Sequence, residues 1–193
     1  TQKVYTHNAS NKSYQVFYGK LEPFIIEYQS KQATNNNYLN SIEFDVDVIR
    51  YHNEFDTFYN QAKTFNKAIV YNNTQTSGLL NLIVDNPENL AESYPKRVSD
   101  GFEILTTNSE GTWRFNDFYD ISANQYNNVP LFNYDCANVR KTLNTKAVSY
   151  AKKDVNKPGL RHKMCRIQLI NDKESNYKMI FNFSQLNSRQ SIR

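Results

Sequence analysis

The sequence predicts a mostly β protein, with an antiparallel β-sandwich-like fold and two or three short α-helices. Short runs of β-branched and aromatic residues between turn residues indicate strands, and one segment alternates apolar and acidic residues with the period of a strand. The composition agrees, with 14 Tyr and 12 Phe against 5 Gly and 5 Pro. A chain of 193 residues can bury a core of its own, so we expect residues 1–193 to form a single domain.

The clearest strand lies at residues 42–48, where apolar residues alternate with Glu43, Asp45 and Asp47. In a strand this alternation leaves one face dry and puts the three carboxylates on the wet face. Such a row could hold a cation, but the interpretation we favour is a solubilising face that also guards against edge-to-edge pairing. Further strands are predicted at residues 13–18, 24–28, 67–71, 79–84, 102–106, 112–115, 164–170 and 177–183.

Turn residues organise these strands. Two hairpins are expected, one joining 67–71 to 79–84 and one joining 102–106 to 112–115, because polar turn residues separate the strands of each pair. The polar segment 29–40 is predicted to be an exposed loop.

Helical spacing of apolar residues predicts short helices at 53–65, 85–90 and 135–143. Asn53 is suited to the N-cap of the first helix. One side of that helix would carry Phe55, Phe58, Ala62 and Phe65. In the third helix, one side would carry Cys136, Val139 and Leu143.

No local motif of catalysis or cofactor binding occurs in the chain, since GxSxG, HExxH, the P-loop and GxGxxG are all absent. His52, Glu54 and Asp56 alternate as metal ligands on one strand face would, but the helix predicted over them breaks that face. Cys136 and Cys165 set no disulfide framework and are expected to be free thiols. We therefore predict that the protein is not an enzyme and has no cofactor and no metal site.

A carbohydrate-binding or carbohydrate-cleaving β domain of a surface or phage adhesin stays open as the alternative. Glycoside hydrolysis needs two carboxylates that have to meet only in space, and the eligible residues are Glu22, Glu27, Asp45, Asp47 and Asp100. Aromatic side chains such as Trp113 can stack on sugars, although core or interface packing is the commoner role of an aromatic residue on a strand.

The formal charge of +4 conceals a division along the chain. Residues 1–138 contain 10 Lys and Arg and 16 Asp and Glu, a net charge of −6, whereas residues 139–193 contain 13 and 3, a net charge of +10. Such asymmetry indicates a basic surface that meets nucleic acid, a membrane surface or an acidic partner, or one that complements the acidic part of the same fold.

The second half of the chain contains several distinctive blocks in a fixed order. They are 112–120 with Trp113, Arg114, Phe115 and Phe118, then 127–131, 135–139, 161–170, 177–181 and 186–193. This order resembles the C-terminal end of the tail stabilization proteins, also called muzzle proteins, of crAss-like phages of Bacteroidales. There a WRFN-F-D block, an N-I/V-P-L block, a V-R-L-I strand and a terminal N-R-x-S-x-R recur. The resemblance covers residues 100–193.

The resemblance implies a structural virion protein of a short-tailed bacteriophage. Its place would be the phage tail, in the distal tail ring that closes the tail channel and retains genome and cargo. The partners it implies are identical subunits in a ring, other fragments of the same parent chain and other tail proteins, with no membrane in the virion. Muzzle proteins are far longer than this chain, which begins at Thr1 and not at Met. We therefore expect the C-terminal piece of a longer, processed chain.

Two groups of residues are expected to make the packing and interface contacts. Trp113, Arg114, Phe115 and Phe118 are predicted to form a packing hub, with Trp113 and Phe115 on one strand face. The basic contacts are predicted at Arg140, Lys141, Lys152, Lys153 and Arg161. Because the basic residues alternate with apolar ones and do not cluster, we favour an acidic surface of a neighbouring subunit over DNA or cargo as their partner.

Overall fold

The computed structural model describes residues 15–17, 20–30, 35, 37–53, 56–59, 62–84, 96–98, 101–116, 119–120, 159–173 and 177–190. Within these residues the protein is mostly β, with 72% in strands, and its main sheet curls into a half-barrel. The predicted mostly β class is therefore confirmed. The described part contains no helix.

Thirteen strands are present in the described part. They are β1 (Val16–Phe17), β2 (Lys20–Leu21), β3 (Phe24–Gln29), β4 (Asn37–Asn53), β5 (Asp56–Tyr59), β6 (Lys67–Tyr71), β7 (Thr76–Val84), β8 (Lys96–Val98), β9 (Gly101–Ser109), β10 (Thr112–Asn116), β11 (Arg161–His162), β12 (Arg166–Asn171) and β13 (Lys178–Gln190). β1 and β2 form a small hairpin. The other strands form one sheet whose main path runs β11-β4-β10-β9-β7-β6-β12-β3, with β13 and β5 beside β4 and β8 beside β9.

The 17-residue strand β4 organises one half of this sheet. Along one edge it pairs with β13 from Asn37 to Ile49. Along the other edge it pairs in turn with β11, β10 and β5. The pairing with β13 contains two register shifts, between Phe181 and Phe183 and between Asn187 and Ser188. Such bulges increase the local bend and twist, which lets two long strands stay paired around the curl.

The strands differ in how many of their faces are buried. β4, β9 and β10 alternate, with one face in the main core and the other face more exposed. β6, β7 and β12 are buried on both faces, which explains their nearly continuous apolar sequences. On the outer face of these three strands, Ile69, Leu79 and Ile170 form a second buried cluster, against which Ile25 and Tyr71 pack.

One glycine is needed where β7 and β9 run parallel. Gly101 opens β9 with φ +154°, and a Cβ atom built on it would lie 2.1 Å from the carbonyl oxygen of Leu79. No side chain fits at that distance, so this contact selects glycine.

The two ends of the curled sheet meet through side chains at a seam formed by Tyr28 of β3 and by Phe181 and Ser184 of β13. The hydroxyl groups of Tyr28 and Ser184 are 2.5 Å apart, and the rings of Tyr28 and Phe181 lie 5.8 Å apart. Burial raises the pKa of the Tyr28 phenol well above its usual range, so this hydroxyl is neutral at ordinary pH. These contacts between β3 and β13 close the curled sheet around the main core.

Most predicted strands lie within observed ones. The segments 24–28, 42–48, 67–71, 79–84, 102–106 and 112–115 are confirmed, as are both predicted hairpins, β6–β7 and β9–β10. The segments 164–170 and 177–183 correspond to β12 and to the much longer β13, which do not pair with each other. Of the segment 13–18, residues 13, 14 and 18 lie outside the described residues, and Val16–Phe17 form β1.

Two local predictions are wrong. The helix predicted at 53–65 is contradicted by β5, which pairs as a hairpin with the end of β4. Its aromatic residues fit a strand at least as well as a helix face, and cross-strand pairing decides between them. The loop predicted at 29–40 ends early, because β4 begins at Asn37. There β11 and β13 provide backbone partners on both sides, so a polar sequence is held as a strand.

A sandwich of two sheets was predicted, but the structure has one main sheet that curls upon itself. It is one sheet because the long strand β4 and the parallel pair β7–β9 connect all its parts. Apolar patterning determines which strand faces are dry but does not determine which strands pair. The helices predicted at 85–90 and 135–143 lie outside the described residues.

Candidate functional site

The outer face of β4 holds the three carboxylates of Glu43, Asp45 and Asp47. They alternate with the buried core residues of the same strand, so they point away from the core. Asn182, at the first bulge of β13, donates from its one amide nitrogen to Asp45 Oδ1 at 3.1 Å and to Asp47 Oδ2 at 3.0 Å. The amide of Asn187 donates to Glu43 Oε1 at 2.7 Å. Asparagines of β13 therefore hold this row of carboxylates in place.

Of the three carboxylates, only Glu43 has a basic partner among the described residues. Arg114 Nε lies 3.6 Å from Glu43 Oε1, in a half-exposed ion pair that contributes little to stability. We call Asp45 and Asp47 the aspartate pair. Within the described ranges, no basic side chain forms an ion pair with either of them. The interpretation of the row as a guard of a sheet edge is wrong, because β4 has neighbours on both sides.

A second charged group lies near the start of β4. Tyr38 precedes the core residue Leu39, so its ring lies on the outer face. The guanidinium carbons of Arg161 and Arg189 lie 4.8 and 5.7 Å from the centre of that ring, within the range of cation–π attraction. Gly159 packs against the same ring, where an added Cβ would lie 3.2 Å from Tyr38 Cδ1.

We call Arg161 and Arg189 the arginine pair. Both are exposed, and in the part of the chain that the structure describes no carboxylate pairs with either guanidinium group. Two like charges therefore meet at one aromatic ring, and no described residue provides a counter-charge.

The tip of the β6–β7 hairpin fixes the backbone of Arg161. Asn72 donates to the carbonyl oxygen of Arg161 at 3.0 Å, and the Arg161 amide donates to Gln75 Oε1 at 2.9 Å. Gln75 in turn donates to Asp120 Oδ2 at 2.8 Å, and Asp120 is buried. Both the carbonyl and the amide group of Arg161 are hydrogen-bonded to the hairpin tip, so the tip fixes the position from which the Arg161 side chain extends.

The predicted packing hub is divided between the two faces of β10. Trp113 and Phe115 lie on the inner face and are each 1% exposed, whereas Arg114 lies on the outer face beside Glu43. Phe118 lies outside the described residues. Phe115 joins an aromatic cluster through Phe44, with ring centres 6.2 Å apart.

The centre of that cluster is Phe65, which the sequence analysis placed on a helix. Its ring lies 5.8 Å from Phe44, 5.9 Å from Phe24 and 6.4 Å from Phe181. Phe65 lies just before β6, outside any strand, and is completely buried. No local signal would have found it, because its partners come from three distant strands.

Of the predicted basic contacts, the described residues include Arg161 alone, and Arg140, Lys141, Lys152 and Lys153 lie outside them. The partner Arg189, which lies in the last of the distinctive blocks, was not predicted to be a contact. Tyr38 was not predicted either, because the segment around it was expected to be a loop. Of His52, Glu54 and Asp56, Glu54 lies outside the described residues, and the other two lie on paired strands, His52 in β4 and Asp56 in β5, and not on one strand.

A cavity of about 280 Å³ opens at one end of the seam, near the ends of β3 and β13. Its walls are mostly apolar and include Pro23, Phe24, Tyr177 and Met179. Nearby, Lys67 Nζ forms an ion pair with Asp172 Oδ2 at 2.7 Å. Burial alone raises the pKa of Asp172, but hydrogen bonds from Lys67 and Asn66 outweigh it and lower the pKa below its ordinary value.

Cys165 is a free, buried thiol, and burial raises its pKa to about 11, so it is protonated and unreactive at neutral pH. Cys136 lies outside the described residues. Among the residues that the structure describes, no group of three or more His, Cys, Asp and Glu side chains is placed to hold a metal ion. The same residues include no helix that is long and apolar enough to cross a membrane.

No protein-family model matches the chain, and no curated protein is similar to it.

Proposed function

We propose that the chain is a structural subunit of the distal tail ring of a short-tailed bacteriophage, of the kind formed by the muzzle proteins of crAss-like phages. The observation that carries the proposal is the order of sequence blocks within residues 100–193. The first of these blocks includes β10, with Trp113 and Phe115 in the main core. Later blocks include most of β12 and most of β13. Because these blocks form strands of the main sheet, the resemblance rests on residues that build the fold, which supports a structural role for the protein.

The surface of the protein also supports a role in assembly. Phe183 of β13 is 48% exposed, and it lies on the outer face because it pairs with Asp45. The arginine pair and the aspartate pair lie on the same outer face. Exposed aromatic and arginine side chains are enriched where proteins meet, so we infer that identical subunits, other tail proteins and further fragments of the parent chain are the partners.

The proposal includes the short helices predicted at 85–90 and 135–143. A far-ultraviolet circular dichroism spectrum of the whole chain should then contain a small helical component beside the dominant strand signal. A spectrum with no helical component would remove this part of the proposal and leave the rest unchanged.

Gold-labelled antibodies against the purified chain would test the location. We expect them to label the distal end of the tails of short-tailed phage particles that contain the chain, viewed by electron microscopy, and antibodies against a capsid protein would be the control. Labelling of bacterial surfaces instead of tails would overturn the proposal.

The carbohydrate-binding alternative makes a different prediction. A glycan-binding domain gains stability from its ligand by mass action, so its melting temperature should rise with oligosaccharide concentration. For a tail-ring subunit we expect no such shift with any member of an oligosaccharide panel. A saturable shift that depends on an acidic residue would favour the adhesin, whereas Trp113 is 1% exposed and has no ring face open to a sugar.

A further inference from the structure

Within the part of the chain that the structure describes, no group accepts a hydrogen bond from the guanidinium groups of the arginine pair. A guanidinium group carries five N–H donors arranged to fit a carboxylate. Stacking on Tyr38 holds Arg161 and Arg189 in position but fills none of these donors. The pair is therefore suited to bind carboxylates that come from outside the described part of the chain.

The aspartate pair has complementary unused capacity. The amide nitrogen of Asn182 serves one oxygen of Asp45 and one oxygen of Asp47. No described residue donates to the other oxygen of either side chain. Two carboxylates are thus held side by side on an exposed sheet face, each with an oxygen available to a guanidinium group.

The two pairs cannot neutralise each other within one molecule. Tyr38 and Asp45 are seven residues apart along the same strand, or roughly 23 Å at the rise of a strand. The Debye length at physiological salt is about 8 Å, so the attraction between the pairs inside one chain is screened. Only a second molecule can bring the two kinds of pair into contact.

We propose that copies of this chain bind each other through the outer face of β4, with the arginine pair of one copy on the aspartate pair of the next. Phe183 lies on that face and pairs with Asp45, so it supplies an apolar contact beside the charges. The inference rests on the proposed function in one respect, the head-to-tail arrangement, which closes into a ring when the rotation between copies allows it.

Nucleic acid fits this face less well. A phosphodiester backbone that follows β4 from the arginine pair would reach the aspartate pair and be repelled there. Copies of the same chain provide carboxylates for the arginine pair on one neighbour and guanidinium groups for the aspartate pair on the other neighbour. The outer face is therefore complementary to other copies of this chain and not to a polyanion.

Charge reversal with analytical ultracentrifugation tests the contact. We expect the wild-type chain to self-associate, and we expect R161E/R189E and D45K/D47K each to weaken association at least about 100-fold, since coupling between close charges at an interface reaches several kcal/mol. An equimolar mixture of the two variants should regain association, because each then offers the charges that the other lacks. The control is K20E/K173E, which changes the net charge as much as R161E/R189E at two exposed lysines elsewhere.

Every outcome decides one of the two proposals. A monomeric wild-type chain, unchanged association of the variants or a mixture that fails to associate would overturn the self-contact. Restoration in the mixture also shows that the variants are folded. A wild-type assembly that stops at a dimer would keep the contact between the pairs but argue against the ring. A monomeric chain that binds a DNA oligonucleotide only with its arginine pair intact would assign the pair to phosphate instead.

Discussion

Two regions of the sheet are stabilised in different ways. In the β6 region, comprising β6, β7 and β12, both faces are buried. In the β4 region, comprising β4, β10 and β13, only the inner face packs in the core, and the outer face carries charges held by asparagine side chains. The β6 region therefore has little surface left for a partner, whereas the outer face of the β4 region can change its side chains without disturbing the fold. We therefore predict that substitutions of buried residues change mainly the free energy of unfolding, whereas substitutions on the outer face of the β4 region change mainly the binding of a partner.

The largest effect is expected at the inner face of the β4 region. Trp113→Ala removes a ring that is 1% exposed, and we expect it to lower the free energy of unfolding by about 3–5 kcal/mol. Arg114→Ala, one residue away on the outer face, should cost less than about 1 kcal/mol. Denaturant unfolding of both variants would measure the difference. Equal costs would show that the two faces of β10 are not distinct.

The next prediction compares the outer faces of the two regions. Ile170 lies in the second buried cluster and is completely buried, so Ile170→Ala should cost about 2–5 kcal/mol. Ile180 pairs with Asp47 on the outer face of the β4 region and is partly exposed, so Ile180→Ala should cost about 1 kcal/mol or less. Thermal unfolding of the two variants, monitored by circular dichroism, would test this. If Ile180→Ala were the more damaging change, the outer face of β13 would be part of the core.

The same distinction explains which parts of the fold could be predicted from the sequence. The alternation in residues 42–48 predicts a strand with one wet face, and the apolar runs near Ile69 and Leu80 predict strands. Both patterns are local, and both predictions were confirmed. That the latter strands are buried on both faces was not predicted. Strand pairing, the curl of the sheet and the central place of Phe65 depend on contacts between distant segments, which local patterns do not contain.

The candidate site was predictable only in part, for the same reason. The charge division pointed to Arg161, but its partners Arg189 and Tyr38 reach it through two different strand pairings. The carboxylates of Asp45 and Asp47 were identified as a row on a wet face. The two carboxylates share the side-chain amide of Asn182 as a donor, and this depends on the bulge of β13 at that residue. No sequence pattern indicates the bulge.

The smallest effect is expected where the two regions meet. At the seam, Tyr28 of β3 reaches Ser184 of β13. Because β3 pairs with β12, this contact connects the β6 region to the β4 region. Tyr28→Phe removes one hydrogen bond and should cost about 0.5–1.5 kcal/mol at neutral pH.

The pH dependence of the same variant identifies the role of the buried hydroxyl. Burial raises the pKa of Tyr28 in the folded protein above the ordinary value of 10.0, so the unfolded chain loses this proton first. The contribution of Tyr28 to stability is therefore complete below about pH 10 and is lost as the pH rises further. We expect the wild-type free energy of unfolding to fall above pH 10, and that of Tyr28→Phe to fall less steeply. Tyr71→Phe is the matched control, because burial also raises the pKa of Tyr71 but its hydroxyl donates to Glu27 outside the seam. Equal alkaline slopes for the wild type and Tyr28→Phe would show that the Tyr28 hydroxyl reaches solvent and that the seam is open.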